Sequence, residues 1–403
     1  MLDFSQLDIN PESFEIDVLR HIPESVLKHS EMHEVERRFV NGLIRLVKPR
    51  NIIEIGVSGG AGSAVILNAI SDMPESHLYS FDIADKWYMD TSKDVGWVTD
   101  LMWPDDNKQW SLYTGKDVSA YVDQLNCKFD FAIIDTAHVH PVESLNFISV
   151  LPYLNDNAVV IFHDLALFTR FSKFDKFPGM SLANKLAYDT IVGKKIEPGG
   201  KEYLDFNLGI PSIGAVQISS DTRKYVDNIF NMLFFPWAGF FVADYIFDVA
   251  DVVRKKYSSK LLQKFCDAVS LNARLHYNEM EYSLYNEKAM NDILLAKEMI
   301  FYGAGKICTS LLKFIQQNDC RNPDLILDKD VSKHNLFGVP IKEPDFDGID
   351  FAQTVFIVTI KDKDTVQEVK DSIKSKNIDA NIYDYKELYL AIIYDKLSKI
   401  MKK

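Results

Sequence analysis

Residues 52–62 read Ile-Ile-Glu-Ile-Gly-Val-Ser-Gly-Gly-Ala-Gly, and this stretch decides the fold. The apolar run at its start predicts a buried strand, the glycines predict a tight loop, and residues 63–70 predict a helix. Glycine in such a loop permits a positive φ and removes the Cβ that would keep a ligand away from the backbone. A strand, a glycine loop and a helix in this order open a parallel α/β sheet.

The same order of strand, turn and helix repeats along the first half of the chain. Apolar runs at 77–83, 110–114, 129–134 and 158–162 predict further strands, with a helix at 118–125. Open α/β sheets bind ligands in the crevice beyond the carboxyl ends of their strands. We therefore expect an α/β fold with a doubly wound, Rossmann-like sheet. The polar residues that end these runs, and that should face the crevice, are Asp82, Lys116, Asp117, Asp135, His163 and Asp164.

Length and pattern divide the chain into three parts. Its 403 residues, 47% of them hydrophobic, exceed what a single core usually holds. We assign residues 1–220 to the first α/β domain, 221–297 to a mainly helical connecting region, and 298–403 to a second, smaller Rossmann-like α/β domain. The second domain opens with the strand, tight turn and helix predicted around Tyr302-Gly303-Ala304-Gly305-Lys306.

Charge and composition argue against several classes of function. The formal net charge of −13 would repel a phosphate backbone, so we expect no nucleic-acid partner. The N-terminus lacks the pattern of a signal peptide, and Pro236 and Gly239 interrupt the longest apolar stretch, so we expect no membrane insertion. The four cysteines lack the spacing of a zinc site or a disulfide framework, which favours a cytoplasmic location.

The chemistry around the glycine loop favours one cofactor. Glu54 precedes the glycines, where its charge can meet a cationic amino-acid group, and the GxGxxG spacing of dinucleotide folds is absent. Both details favour S-adenosylmethionine. Asp82 can accept two hydrogen bonds from a ribose diol, but the acid of a dinucleotide fold does the same, so Asp82 does not discriminate between these cofactors.

Ordered motifs in residues 35–220 resemble those of class I methyltransferases, in particular the small-molecule O-methyltransferase branch. The motifs are Glu54-Ile55-Gly56, Phe81-Asp82, Gly115-Lys116-Asp117, Ile134-Asp135-Thr136-Ala137-His138 and Val160-Ile161-Phe162-His163-Asp164. Thr136 departs from the family by replacing a glycine. The resemblance implies that the methionine side of the cofactor meets Glu54 and the glycines, the ribose meets Asp82, and the adenine lies near Asp117. The cofactor-binding residues expected are Glu54, Gly56, Ser58, Gly60, Asp82, Ile83, Lys116, Asp117 and Asp135.

Two strand ends that should be neighbours each supply an aspartate and a nearby histidine. A base near the sulfonium can remove or hold the acceptor's proton. The catalytic residues expected around the acceptor are Asp135, His138, His163 and Asp164. The resemblance implies that Asp135 and Asp164 can bind Mg²⁺, although Leu165 stands where metal-assisted relatives supply a third oxygen ligand.

Each of these residues also has a structural interpretation. Asp117 can cap a helix that begins at Val118, and the other acids and the histidines can be turn or cap residues. An aromatic cluster after the last strand can form a lid over the acceptor pocket or part of a core. The cluster consists of Phe168, Phe171, Phe174 and Phe177.

The second domain resembles the nucleotide-fold domain appended to many bacterial sugar and surface-glycan enzymes. The matching motifs are Tyr302-Gly303-Ala304-Gly305-Lys306, Leu327-Asp328 and Gly338-Val339-Pro340-Ile341. The resemblance implies a nucleotide or nucleotide-sugar site. Its residues would be Gly303, Gly305, Lys306 and Asp328. A scaffold domain that binds nothing stays open as the alternative.

These patterns predict an S-adenosylmethionine-dependent methyltransferase that O-methylates a sugar, a nucleotide-sugar or a surface-glycan precursor. The partner expected is a small-molecule or glycan acceptor, and a homo-oligomer stays open. Two alternatives remain for the function. One is a nucleotide-sugar oxidoreductase or epimerase that uses the C-terminal domain, and the other is a non-catalytic nucleotide-binding assembly protein.

Overall fold

The computed structural model describes residues 22–103, 108–167, 183–198, 211–239, 245–277 and 287–403. The chain folds into two compact units. Unit 1 comprises Met1–Ala238 and Asp248–Phe265, and unit 2 comprises Gly239–Phe247 and Cys266–Lys403. The helices of residues 221–297 are thus divided between the two units.

Unit 1 contains a seven-stranded sheet with the order β3-β2-β1-β4-β5-β7-β6. Strands β1 to β5 are parallel to one another, whereas β7 pairs antiparallel with β5 and with β6. The strands are β1 (Asn51–Ile55), β2 (His77–Phe81), β3 (Trp110–Tyr113), β4 (Phe129–Ile134), β5 (Leu154–Phe162), β6 (Lys194–Ile196) and β7 (Gly214–Gln217). The strand order reverses between β1 and β4, which is the topological switch point of a doubly wound sheet. The expected fold class is confirmed.

Helices cover the sheet of unit 1 and supply its core. They are α1 (Glu24–Leu27), α2 (Glu34–Val47), α3 (Ala61–Ile70), α4 (Val142–Val150), α5 (Ala183–Thr190), α6 (Ser220–Lys224) and α7 (Asp227–Met232). Phe39 of α2, Ile66 of α3 and Phe131 of β4 belong to one buried cluster. Each large apolar side chain buried in this way contributes about 1.5 to 3 kcal/mol relative to exposure. The helix expected at 118–125 is wrong, because this segment forms two short 3₁₀ turns, Val118–Ala120 and Val122–Gln124.

Helix α2 has a strong sequence signature that matters for the site. A capping box joins His33 and Glu36 at its N-terminus, and Lys48 ends it in the left-handed conformation. Phe39, Val40, Leu43 and Ile44 are buried. Their spacing places them on one face of the helix, so the position of Glu36, one turn before them, is fixed by the core.

Two helices follow, α8 (Ile246–Lys256) and α9 (Ser259–Tyr277), and residues of each fall in both units. Unit 2 then contributes α10 (Glu287–Leu295), α11 (Lys306–Gln317), α12 (Lys363–Lys376) and α13 (Tyr385–Lys402). No helix among the described ranges combines the length and the apolar character that crossing a bilayer requires.

Unit 2 contains a six-stranded sheet with the order β10-β11-β9-β8-β12-β13. Its strands are β8 (Glu298–Tyr302), β9 (Leu325–Leu327), β10 (Asn335–Leu336), β11 (Val339–Lys342), β12 (Thr354–Val358) and β13 (Asn381–Asp384). All pairs are parallel except β10 with β11. Ile300, Phe356 and Ile373 lie in its own hydrophobic core. The expectation of a second, smaller α/β sheet is confirmed.

Candidate functional site

The glycine loop lies at the carboxyl end of β1, beside the switch point. Gly56 has a φ of 93°, and a Cβ on this residue would lie 1.7 Å from the carbonyl oxygen of Asp135. Gly60 has a φ of 95° and precedes α3, and a Cβ there would lie 2.7 Å from the Cα of Gly96. Both glycines are therefore required by the close approach of other backbone segments. Ser58 between them is left-handed as well, with a φ of 53°.

Asp82, at the end of β2, holds the glycine loop. Its Oδ2 accepts hydrogen bonds from the backbone N–H groups of Val57 and Ser58, each at 3.0 Å, and its Oδ1 accepts one from Ala84 at 2.9 Å. The adjacent Ile83 exposes 52% of its surface. An exposed apolar side chain next to a partly buried carboxylate is a surface on which the base and the ribose of a nucleoside can rest.

Glu54 lies beneath the loop, inside the unit. Its Oε2 accepts hydrogen bonds from the hydroxyl groups of Ser63 and Ser80, each at 2.6 Å. Burial raises the pKa of Glu54 to about 7, although the two hydroxyl groups act in the opposite direction. The carboxyl group is already hydrogen-bonded to these buried hydroxyl groups. A contact between Glu54 and the methionine side of the expected cofactor therefore stays a prediction.

Asp117 follows β3 and caps the 3₁₀ turn behind it. Its Oδ1 accepts the backbone N–H of Ser119 at 2.9 Å, and its Oδ2 accepts the Asn146 amide at 3.2 Å. Burial raises the pKa of this carboxyl group. Asp117 thus acts as a cap, which is its structural interpretation. Lys116 beside it is exposed. A contact of either residue with the adenine stays a prediction.

Asp135, His138 and Asp164 come together at the ends of β4 and β5. Each offers one ligand atom that lies within 4.8 Å of the other two. The Nε2 atom of His138 is 3.2 Å from Oδ2 of Asp164 and 3.6 Å from Oδ1 of Asp135. His138 and Asp164 are left-handed, with φ of 57° and 55°. All three side chains are partly exposed, so the cluster can reach a ligand in the crevice.

His163 joins this cluster from the interior. Its Nδ1 atom lies 3.3 Å from Oδ1 of Asp135, and its Nε2 atom lies 3.1 Å from Oε2 of Glu36. The imidazole is almost completely buried, as is Glu36 at 2% exposure. His163 therefore contacts the acidic groups of the site from behind.

The electrostatics of this group are those of a buried ion network. Burial alone would lower the pKa of His163, but the charges of Asp135, Asp164 and Glu36 raise it well above its ordinary value. Burial would raise the pKa of Asp135 and of Glu36, yet the charge of His163 leaves both values lowered. The imidazolium and the neighbouring carboxylates thus stabilise each other.

Sequence reasoning missed Glu36, Glu143 and Asn184. Oε1 of the buried Glu143 accepts hydrogen bonds from the backbone N–H of His138 at 2.6 Å and from the hydroxyl group of Thr136 at 2.9 Å. The Asn184 amide nitrogen lies 3.0 Å from Nδ1 of His138. Thr136, at the position expected to be glycine, thus contributes to holding the His138 turn. The available signals were the capping-box position of Glu36 and the acid in the apolar helix α4.

Two further sequence candidates contribute less to the site. His140 is buried, and burial lowers its pKa to about 4, so this imidazole is neutral near pH 7. The aromatic cluster from Phe168 to Phe177 lies outside the described residues.

In unit 2 the predicted nucleotide residues meet at the carboxyl ends of β8 and β9. Gly303 has a φ of 107°, and a Cβ there would lie 3.2 Å from the Thr359 hydroxyl oxygen. The backbone N–H of Ala304 donates to Oδ2 of Asp328. Gly305 has open space where a Cβ would be, and Lys306 begins α11 with its side chain exposed.

Residues 53–165 match the family model described as a methyltransferase domain. The match spans β1 to β5 with the glycine loop, Asp82 and the aspartate–histidine cluster. It covers less than a third of the chain, and all of it lies in unit 1. Unit 1 therefore contains a segment that matches a methyltransferase domain, and the expected enzyme class is confirmed.

Several solved structures are also similar to parts of the chain. The O-methyltransferase TomG from Streptomyces achromogenes, determined with SAM, is 15% identical over 55% of this chain and 100% of its own, with a TM-score of 0.39. An O-methyltransferase from Bacillus cereus, determined with SAH, is 13% identical over 52% of this chain and 100% of its own, with a TM-score of 0.38. No curated protein matches the chain.

Proposed function

We propose that unit 1 binds S-adenosylmethionine in the crevice at the switch point and transfers its methyl group to a hydroxyl oxygen of a small molecule. One observation carries the proposal. The segment that matches a methyltransferase domain contains the glycine loop, the acid after β2 and the aspartate–histidine cluster, and all three lie at the carboxyl ends of neighbouring strands. Ligands of open α/β sheets bind at this place.

The residues around the loop suit a sulfonium nucleoside. Gly56 and Gly60 let the loop pack closely against the backbone of Asp135 and of Gly96, which holds the loop in place at the crevice. Asp82 offers carboxylate oxygens for a ribose diol, and Ile83 offers an exposed apolar face. Glu54 supports the loop from below through Ser63.

The cofactor supplies a methyl group that is already activated by the positive sulfur. The chain's task is therefore to orient the acceptor and to take its proton. As the acceptor oxygen bonds to the methyl carbon, the carbon–sulfur bond breaks and its electron pair stays on sulfur. The proton passes to the pair formed by Asp164 and His138, whose 3.2 Å contact allows the carboxylate and the imidazole to share it.

The same cluster fits a divalent metal ion. Mg²⁺ usually binds through one or two carboxylates and keeps several waters, so Asp135 and Asp164 suffice without an oxygen ligand at Leu165. The close spacing of the donor atoms supports this assignment. A metal held there would lower the pKa of the acceptor hydroxyl group. His163 contacts Asp135 from behind, so we assign it a positioning role.

A sugar, nucleotide-sugar or glycan precursor is the acceptor that we propose. The support is unit 2, in which Gly303 and Lys306 follow β8 and Asp328 follows the neighbouring β9, next to the switch point between β8 and β12. Ligands of open α/β sheets bind at such points. We keep the cytoplasmic location as part of this proposal.

Calorimetry with three ligands tests these assignments. Strong binding of S-adenosylhomocysteine supports the methyltransferase site, and binding of a nucleotide-sugar supports the site in unit 2. Binding of NAD alone would instead favour an oxidoreductase or epimerase. Binding of a nucleotide-sugar alone would favour a non-catalytic nucleotide-binding assembly protein, and binding of none of the three would contradict both sites.

A further inference from the structure

The segment that follows β2 packs against the glycine loop. The backbone N–H of Gly96 donates to the carbonyl oxygen of Ser58 at 3.0 Å, and that of Val98 donates to the carbonyl oxygen of Gly59 at 2.8 Å. These contacts use main-chain atoms, which any residue but proline supplies. One further contact uses a side chain, because the indole N–H of Trp87 donates to the hydroxyl oxygen of Ser58 at 3.1 Å.

Trp87 is held in a small aromatic cluster. The centroid of its ring lies 5.5 Å from that of Trp97 and 6.1 Å from that of His29. A Cβ on Gly59 would lie 3.4 Å from the indole nitrogen of Trp87, so this nitrogen lies directly against the loop. The side chain of Trp87 is partly buried. The packing therefore fixes the direction in which the indole N–H points.

The indole contact determines how the Ser58 hydroxyl group can act. An indole nitrogen only donates hydrogen bonds, so the Ser58 oxygen is the acceptor of this pair. The hydroxyl hydrogen of Ser58 therefore points away from Trp87, and it is donated to no acceptor among the residues that the structure describes. Because Ser58 is partly exposed, this hydrogen is available to a ligand in the crevice.

A carboxylate is the acceptor that best fits this position. Helix α3 begins directly after Gly60 without a side-chain cap, so the N–H groups of its first turn have no partner within the helix. The N-terminus of a helix favours an anion. The methionine portion of S-adenosylmethionine carries a carboxylate, whereas its ammonium group has no lone pair with which to accept a hydrogen bond.

We propose that Trp87 is a positioning residue, which fixes the hydroxyl group of Ser58 as a donor to the carboxylate of the cofactor's methionine portion. This role rests on the proposed binding of S-adenosylmethionine in the crevice. It brings into the site a residue from the connection between β2 and β3 that belongs to none of the sequence motifs.

Two ligands distinguish this role from a general support of the loop. S-adenosylhomocysteine has the carboxylate, whereas methylthioadenosine has the same nucleoside and a thioether sulfur but lacks the amino-acid portion. Trp87→Phe keeps an aromatic ring and removes the N–H. In calorimetry on the full chain, this variant should bind S-adenosylhomocysteine about 2- to 10-fold more weakly than the wild type. Its affinity for methylthioadenosine should not change.

Trp97→Phe is the matched control. Trp97 belongs to the same aromatic cluster, but its indole nitrogen is buried and has no hydrogen-bond partner among the described residues. The same change of ring and the same loss of an N–H should therefore leave the affinity for both ligands unchanged. A loss of S-adenosylhomocysteine affinity equal to that of Trp87→Phe would assign the effect to the packing of the cluster and overturn the inference.

Ser58→Ala tests the other side of the contact. This variant should bind S-adenosylhomocysteine about 10- to 100-fold more weakly than the wild type, because a hydrogen bond to a charged group is lost. Adding Trp87→Phe to Ser58→Ala should cause no further loss, since Trp87 acts through the hydroxyl group. A further loss in the double variant would show that Trp87 acts in another way and would overturn the inference.

The remaining outcomes separate this inference from the proposed function. Equal S-adenosylhomocysteine affinity of the wild type and a folded Trp87→Phe variant would overturn the inference alone, as would an equal loss of affinity for both ligands. If Trp87→Phe does not fold, unchanged S-adenosylhomocysteine binding by Ser58→Ala would overturn it. Absence of S-adenosylhomocysteine binding to the wild type would overturn the proposed function and this inference together.

Discussion

The carboxyl groups of the first unit are used in different ways, and the differences come from their surroundings. Asp82 is partly exposed and accepts three backbone N–H groups. Glu54 is buried against two hydroxyl groups, which do not compensate for the loss of water, so its pKa rises. Asp135 is held ionised by His163. Acids that look equivalent in the sequence therefore have distinct tasks.

Asp82→Ala should weaken the binding of S-adenosylhomocysteine by about 1 to 3 kcal/mol, because charge-assisted hydrogen bonds are lost. The loop backbone at Val57 and Ser58 also loses its acceptor. Calorimetry measures the change. Asp94→Ala, which removes an exposed acid paired with Lys86, should leave the affinity unchanged. An unchanged affinity in Asp82→Ala would exclude this residue from the cofactor site.

Asp164→Ala should abolish methyl transfer while the affinity for S-adenosylhomocysteine stays close to that of the wild type. The reason is that we assign Asp164, which lies beside His138, to the acceptor side of the crevice. Turnover and calorimetry on the same preparation give both values. Full activity in this variant would show that the acceptor binds elsewhere.

Glu54→Gln should change how stability depends on pH. The folded-state pKa of about 7 lies above the ordinary value of 4.5, so the folded state favours the protonated carboxyl group. Its contribution to stability is complete below pH 4.5 and is lost as the pH rises through 7. Relative to the wild type, the variant should gain about 2 to 3 kcal/mol of unfolding free energy between pH 5 and pH 8. Urea denaturation at the two values measures it, and parallel curves would contradict the assignment.

At the scale of the elements, the sequence predicted those whose signal is local. Apolar runs ended by acids or glycines predicted β1 to β5 and β8, because a buried parallel strand needs little more than such a run. The helix expected at 118–125 is not formed as one helix. Asp117 accepts a hydrogen bond from Ser119, which favours a tight turn at the start of this segment. Strand β5 begins at Leu154, four residues before the apolar run at Ala158, and its polar start gave no sign of pairing.

The packing of the glycine loop requires glycine at position 56. Gly56→Ala should cost at least about 3 kcal/mol, because its φ is 93° and the new Cβ would lie 1.7 Å from the Asp135 carbonyl oxygen. Gly305→Ala is the matched change at the second glycine turn, where a Cβ meets open space, and should cost at most about 1 kcal/mol. Thermal unfolding compares the two. Similar melting temperatures would contradict the crowding at Gly56.

At the scale of the whole molecule, the site could be predicted only in part. The acids at strand ends followed from the α/β pattern, because parallel strands deliver their last residues to one edge. Glu36 and Glu143 could not be found in this way, since they reach His163 and His138 from helices whose sequences signal only capping and packing. Such contacts depend on the packing of the folded chain and have no periodicity to reveal them.

Each unit has its own hydrophobic core, and this should be visible in calorimetric unfolding. We expect S-adenosylhomocysteine to raise the temperature of a single transition, that of unit 1. At 100 times its dissociation constant the ligand should add about 2.7 kcal/mol to that transition. All five tryptophans belong to unit 1, so tryptophan fluorescence identifies the transition of that unit. A shift of the other transition would place the cofactor in unit 2.

Ser58, His138 and Asp164 share a backbone conformation that glycine adopts at no cost, and each lies at the crevice. Laboratory selection for thermostability alone would therefore favour glycine at these three positions. Each step would make the protein more stable while it removes a side chain of the proposed site. A thermostabilised descendant of this chain would have to be screened for methyl transfer at every round, or it would become an inert scaffold.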